Sequence, residues 1–263
     1  RERAIEDRQA LKLDRIFTGG AATPRSLIER FSTLLGVETM QAWGMTETSP
    51  VATVCRPLAH HEDLGEEAQI DLRALQGRSV FGIELRIEDE DGKELPRDGE
   101  AAGLLRVRGP WVLNAYHGQP AGSALDSGGW FDTGDVAKID PDGFLQITDR
   151  AKDVIKSGGE WISSIDLENA AVAHPKVAEA AVIGVAHPKW QERPLLLVRL
   201  HPGEACTKDE IMAHLADKVA RWWLPDDMIF VDDLPHTATG KLLKTELRKR
   251  HGDHFAAAAD AVT

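Results

Sequence analysis

The string QAWGMTETSP, Gln41 to Pro50, sets side chains suited to a nucleotide in a fixed order. Trp43 offers an aromatic face for a purine, and Gly44 permits close backbone approach. The Thr46 hydroxyl can hydrogen-bond a phosphate, and the Glu47 carboxylate is the hard oxygen ligand that Mg2+ prefers. A plain polar turn explains this composition but not this order. Upstream, TGGAA places Gly19, Gly20, Ala21 and Ala22 at a strand end, where small side chains let a flat ligand lie against the backbone. A tight strand-to-helix turn with no ligand would use the same residues. GGWFDTGD ends in Asp135, a carboxylate on a glycine turn that can accept two hydrogen bonds from a vicinal diol, as an ordinary surface turn would also allow.

Two further strings lie in the C-terminal half. GFLQITDRAKDVIKSGGEWISSIDLE, Gly143 to Glu168, gathers Arg150, Lys152 and Lys156 before the loop Ser157, Gly158, Gly159. PHTATGKLLKTELR sets Lys241 on a glycine-flanked loop at the start of a helix. This is not a Walker loop, because no glycine stands five residues before Gly240 and no Ser or Thr follows Lys241.

Together and in this order the strings resemble the signatures of the adenylate-forming superfamily of acyl-CoA synthetases, adenylation domains and luciferases. The resemblance runs from Asp14 to about Arg250. It implies that Gly19 to Ala22, Gln41, Trp43 and Gly44 border the nucleotide, that Thr46 contacts the α-phosphate and that Glu47 holds Mg2+. It implies Asp135 on the ribose and Arg150 on ribose and phosphate. Lys152 becomes the hinge of a small rotating domain, Lys156 serves the second half-reaction, and Ser157, Gly158 and Gly159 border a pantetheine channel. Lys241 would reach the carboxylate oxygen and α-phosphate, where attack on phosphorus builds negative charge that one positioned ammonium offsets. The implied chemistry is a ligase that activates a carboxylic acid with ATP to acyl-AMP and passes the acyl group to coenzyme A.

Within the superfamily, SGGEWISSIDLE looks like acyl-CoA synthetases rather than peptide-synthetase adenylation domains or luciferases. RWWLPDDMIFVDDLPHTATGKLLKTELR most resembles bacterial medium- or long-chain fatty-acyl-CoA ligases and their methylmercaptopropionate-type cousins. The family's TSGTTGxPKG phosphate loop has no counterpart in Arg1 to Asp14, so the resemblance expects a longer protein. The alternative is a non-catalytic remnant that binds AMP or CoA, or docks a partner. A homodimer of the full-length enzyme stays open.

The elements that must position these strings read as α/β followed by α+β. A helix over Arg1 to Leu11 precedes a short strand ending at Gly19 and Gly20, a helix from Pro24 to Leu35, and a strand around Val37 to Ala42. From Gly77, VFGIELRIED and GLLRVRG alternate apolar with polar residues, which predicts hairpins of a small antiparallel barrel or sheet. The charged DRAKD string marks a boundary. The expected domains are 1–149, the C-terminal part of a large nucleotide-binding domain with a β-rich region over 77–149, and 150–263, a small α+β domain. In the latter, Ser163 or Ser164 caps a helix that ends before Pro175, and Thr207 caps a second running to Ala220. MIFVDDLP is then a strand and KLLKTELRKR a terminal helix.

A formal net charge of −12 over 263 residues disfavours a broad nucleic-acid surface, and the one basic cluster, Lys241 to Arg250, reads mostly as a solvated helix face. No apolar run approaches a membrane span. Cys55 and Cys206 are far apart in sequence and lack metal-ligand spacing, which fits a reducing cytoplasm. His60 and His61 are followed by Glu62 and Asp63, but no further histidine completes a zinc helix motif, and His117, His174, His187 and His236 are isolated.

Overall fold

Residues 12–21, 23–237 and 242–255 are described by the structure, a computed structural model. The helix expected over Arg1 to Leu11, together with Ala22 and Lys241, lies outside the described residues. The chain divides between Ile147 and Thr148 into two units.

In the first unit, short apolar runs form β1 (Arg15–Thr18), β2 (Glu38–Gly44), β3 (Val51–Val54) and β4 (Arg78–Ser79), with helices α1 (Arg25–Arg30) and α2 (Glu66–Arg73) between them. They pair in that order, β1 parallel to β2 and the other pairs antiparallel. Pro24 precedes α1, which continues through a wider turn to Leu35 and stops on Gly36 at φ 64, a left-handed cap that glycine adopts without strain. No sequence signal marks α2, whose string EEAQIDLR is largely polar and buries only Ile70 and Leu72.

A second sheet runs β5 (Glu84–Glu88), β6 (Gly103–Arg108), β7 (Phe131–Ile139) and β8 (Leu145–Arg150), the last strand running on past Ile147 into the second unit. Alternation in GLLRVR turns Gly103, Leu105 and Val107 inward. Leu105 and Val107 pack with Leu85, Ile87, Phe131 and Ile139 in one core, against which Trp43 and Met45 also rest. Of the two arrangements that the hairpin pattern allowed, the described residues form an open sheet with no closed barrel.

The second unit holds β9 (Ile155–Ser157), β10 (Glu160–Ile162), α3 (Ser164–Val172), β11 (Val177–His187), β12 (Gln191–Leu200), α4 (Lys208–Ala216), β13 (Asp227–Phe230) and α5 (Lys244–His251). The strands lie in the order β10-β9-β12-β11, with β13 parallel beside β12. Both faces of β11 and β12 are covered. Val182, Leu196 and Val198 pack with Leu167 of α3 and Ile211 and Leu215 of α4, whereas Ile183, Leu195 and Leu197 pack with Leu234 and Leu247 of α5. Each such aliphatic side chain contributes about 1.5–3 kcal/mol on burial. Ser163 is the cap of α3, its Oγ accepting from Asp166 N at 3.1 Å. α4 carries the expected Thr207 cap but stops at Ala216, where the chain tightens into a turn closed by Lys218 N on Leu215 O at 2.9 Å. Among the described residues no helix is long and apolar enough to cross a membrane.

Candidate active site

Parallel pairing sets Thr18 of β1 beside Gln41 of β2, so the loops that follow both strands leave the sheet at the same end. A Cβ on Gly19 would sit 3.0 Å from Ala42 O, and Gly20 takes φ 83, a left-handed backbone that glycine adopts without strain. Gln41 is buried and both ends of its amide are engaged. Its Oε1 accepts from Thr23 N at 2.7 Å and its Nε2 donates to Ala74 O at 2.8 Å. Gln41 therefore braces the loop after β1 against the end of α2.

At the end of β2, a Cβ on Gly44 would fall 1.8 Å from Pro50 O, so no other residue fits this backbone. The buried Thr48 hydroxyl receives Met45 N at 2.9 Å and donates within reach of Pro50 O at 2.7 Å, which closes the loop on itself. The loop leaves Thr46 exposed, and its hydroxyl has no partner among the described residues. Glu47 Oε1 accepts from the Tyr116 hydroxyl at 2.9 Å, while Glu47 O takes Leu113 N at 2.7 Å.

Asp135 reaches the same strand end through an irregularity in β7. Asp132 pairs with Arg106 and Val136 with Leu104, so Thr133, Gly134 and Asp135 together face the single residue Leu105. Such a bulge re-aims a side chain, and Gly134 at φ 68 supplies its left-handed residue. Asp135, 2% exposed, accepts from Trp43 Nε1 at 3.1 Å. Trp43 and Asp135 are thus brought together with Thr46 and Glu47 on one connected loop system.

In the second unit Ser157, Gly158 and Gly159 form the β9–β10 hairpin, in which both central residues have positive φ, 61 and 90. This two-residue turn needs glycine at both positions to match the strand twist. Gly158 N donates to Trp190 O at 3.0 Å, and the buried Ser157 hydroxyl accepts from Arg193 Nη1 at 3.1 Å. Lys156 Nζ lies over the Trp161 ring at 5.9 Å. Arg150 and Lys152 are exposed on the preceding turn, where the amides of Asp153 and Val154 donate to Arg150 O.

Two family models match this chain. The AMP-binding enzyme model covers residues 1–117 and the AMP-binding enzyme C-terminal domain model covers residues 166–241. The chain belongs to the AMP-binding enzyme family. It is 50% identical over 250 residues to a medium-chain-fatty-acid–CoA ligase of Ectopseudomonas oleovorans, a match that spans 95% of this chain and 46% of that protein. It is 54% identical over 241 residues to a 3-methylmercaptopropionyl-CoA ligase of Ruegeria lacuscaerulensis, over 92% of this chain and 44% of that protein. Among solved structures it resembles o-succinylbenzoate CoA synthetase from Bacillus subtilis in complex with its acyl-adenylate intermediate, with 31% identity and a TM-score of 0.76 over 89% of this chain and 46% of that one. The chain spans about half the length of the curated relatives it matches.

Two features of this AMP-binding enzyme chain have no part in the reading of its motifs. Tyr116 is its one tyrosine, and that rarity within WVLNAYHG is the signal that marks it. The hydrogen bond to Glu47 raises the Tyr116 pKa, so the phenol stays a donor. The second is a buried polar network in the second unit. Lys244 Nζ donates to Ser164 Oγ at 2.5 Å and pairs with Glu168 Oε1 at 2.7 Å, while Asp149 Oδ2 accepts from Ser164 N at 2.6 Å. Burial pushes the pKa of both Asp149 and Glu168 up, and the Lys244 ammonium opposes the shift. Glu168 also accepts from Val182 N at 2.8 Å, tying α3 to β11.

Proposed function

We propose that the protein to which this chain belongs activates a carboxylic acid with ATP and transfers the acyl group to the thiol of coenzyme A. The observation that most supports this reading is the hydrogen bond of Trp43 to Asp135. It joins the aromatic residue suited to adenine to the carboxylate suited to ribose, on the loop system that also carries Thr46 and Glu47. In the first step a carboxylate oxygen bonds to the α-phosphorus and the bond to the bridging oxygen breaks, giving acyl-AMP and pyrophosphate. In the second, the thiol sulfur bonds to the acyl carbon, AMP leaves, and the thiol proton passes to solvent.

Trp43 and Asp135 hold the nucleoside, and Thr46 and Arg150 hold the α-phosphate. Lys241 offsets charge that builds between carboxylate and phosphate, as a preorganised donor does. Glu47 would hold Mg2+: one of its oxygens takes the Tyr116 hydroxyl and the other has no partner among the described residues. One carboxylate suits an ion that keeps several waters and completes its shell with phosphate oxygens, whose charge it would neutralise. Lys152 is the hinge about which residues 150–263 turn between the two steps, Lys156 serves the second step, and Ser157, Gly158 and Gly159 border the path of the thiol.

The names of the similar proteins support a medium-chain fatty acid or 3-methylmercaptopropionate as the acid. Cys55 and Cys206 are free thiols, which supports a reducing compartment such as the cytoplasm. The test is acid-dependent exchange of pyrophosphate into ATP by the full-length protein without CoA, run with octanoate and with 3-methylmercaptopropionate. Exchange supports the reading, AMP binding without exchange favours a non-catalytic nucleotide-binding protein, and formation of ADP with acyl phosphate overturns the adenylate route.

A further inference from the structure

We propose that His60, His61 and Asp142 form a site for a borderline divalent cation of the Zn2+ type. None of the three is assigned to the nucleotide, the acid or the thiol. His60 and His61 sit on the single helical turn Ala59–His61, and Asp142 on the Asp140–Gly143 turn between β7 and β8. The fold brings these segments together across more than eighty residues, with His60 Nε2 and His61 Nε2 at 3.0 and 3.1 Å from the same Asp142 Oδ2. All three ligand atoms lie within 4.8 Å of one another. Tetrahedral Zn2+ with bonds of about 2.0–2.2 Å sets its ligand atoms roughly 3.3–3.5 Å apart. The two distances to Asp142 Oδ2 are within a few tenths of an ångström of that spacing, so the carboxylate and each ring already stand close to the separation that a shared cation requires.

The donor set selects the ion, because two imidazoles and one carboxylate suit Zn2+ and its neighbours rather than Mg2+ or Ca2+. The frame is also held in place. The His61 side chain is 10% exposed and meets the buried Phe144 edge-on at 5.4 Å. The turn that carries Asp142 is fixed by Gly143 N on Asp140 O at 2.9 Å and by Phe144 N on Asp140 Oδ1 at 2.8 Å. His60 and Asp142 face solvent, at 58% and 40% exposure, which leaves a way in and a coordination position for water. In the metal-free molecule the ring protons point at Asp142 where the cation would sit. Binding at His61 Nε2 moves that ring's proton to Nδ1 and ends its 3.2 Å bond from Leu58 N, so one long hydrogen bond is exchanged for a metal bond.

The experiment titrates ZnCl2 alone into the full-length, tag-free, chelator-stripped protein by calorimetry, with thermal unfolding in parallel. The expected result is one equivalent of Zn2+ whose affinity falls in Asp142→Ala and His61→Ala by at least the roughly 10- to 100-fold that loss of a supporting partner causes. Because His61 is buried, the exposed His60→Ala supplies a variant in which the fold is undisturbed, and it should weaken binding likewise. His201→Ala, at an exposed histidine elsewhere, should bind as the wild type does. Zn2+ should raise Tm in the wild type and not in Asp142→Ala. Absence of a Zn2+ equivalent, equal binding in both His60→Ala and Asp142→Ala, or equal loss in His201→Ala would overturn the site.

Discussion

Trp43 Nε1 donates to Asp135 Oδ2 at 3.1 Å across 92 residues of sequence. The two residues come from separate motifs, each readable as a nucleotide contact, and the structure couples them directly. The indole fixes the orientation of a carboxylate that is almost wholly buried. Trp43→Phe keeps an aromatic face and removes only the donor. A hydrogen bond to a charged group contributes about 1.5–3 kcal/mol, so the KM for ATP should rise roughly 10- to 100-fold with a smaller change in kcat. An unchanged KM would show that Asp135 does not depend on Trp43.

Tyr116→Phe removes the donor on Glu47. The ring is about half exposed, so stability should move by no more than about 0.5 kcal/mol. The Mg2+ concentration for half-maximal activity should rise about tenfold, as when a ligating carboxylate loses its supporting partner. An identical Mg2+ profile in both proteins would count against Glu47 as the metal-holding residue.

Lys244→Met leaves Glu168 and Asp149 buried without their cation, which should destabilise the protein by about 3–5 kcal/mol. The sign of its pH dependence follows from the carboxyl groups. Burial holds both pKa values above the ordinary 3.8 and 4.5, so the folded state binds more protons than the unfolded state. Their contribution is fully present below those ordinary values and is lost as pH rises through the folded ones. Removing Lys244 raises the folded values further. The deficit against wild type should therefore be larger at pH 8 than at pH 5 in urea unfolding, and Lys244→Met with Glu168→Gln should recover much of it. A deficit independent of pH would mean that packing, not charge, sets the loss.

Lys241→Ala and Lys152→Pro should separate the two half-reactions. Loss of one charge-stabilising donor at Lys241 should slow adenylation by roughly 10²- to 10³-fold and spare thioester formation from supplied acyl-AMP. At Lys152 the turn is closed by the amides of Asp153 and Val154, so proline there fixes φ without removing those bonds. It should impair the second half-reaction and spare the first. Equal loss in both steps for both variants would remove the hinge model.

Local strings carried most of the fold that is legible in the sequence. Alternation in GLLRVR and the Ser163 and Thr207 caps are each set by neighbours within a few residues. Partner choice was not legible, because it depends on which distant segments meet. Gln41 reads as a ligand contact, yet its amide braces Thr23 and Ala74. Lys244 reads as a solvated base, yet it lies buried against Glu168 on α3. His60 and His61 lack a third ligand in their own string, and the β7–β8 turn supplies Asp142.

The irregularity in β7 also governs what lengths of chain this strand admits. Its two surplus residues preserve parity, so Phe131 before it and Ala137 and Ile139 after it enter the same core. Deleting one residue among Thr133, Gly134 and Asp135 would exchange faces downstream, turning Lys138 inward and Ile139 out. Deleting two would restore the core but leave too few residues to make the bend. The segment thus counts in pairs, so a frame-preserving loss of a single codon there is more damaging than many substitutions.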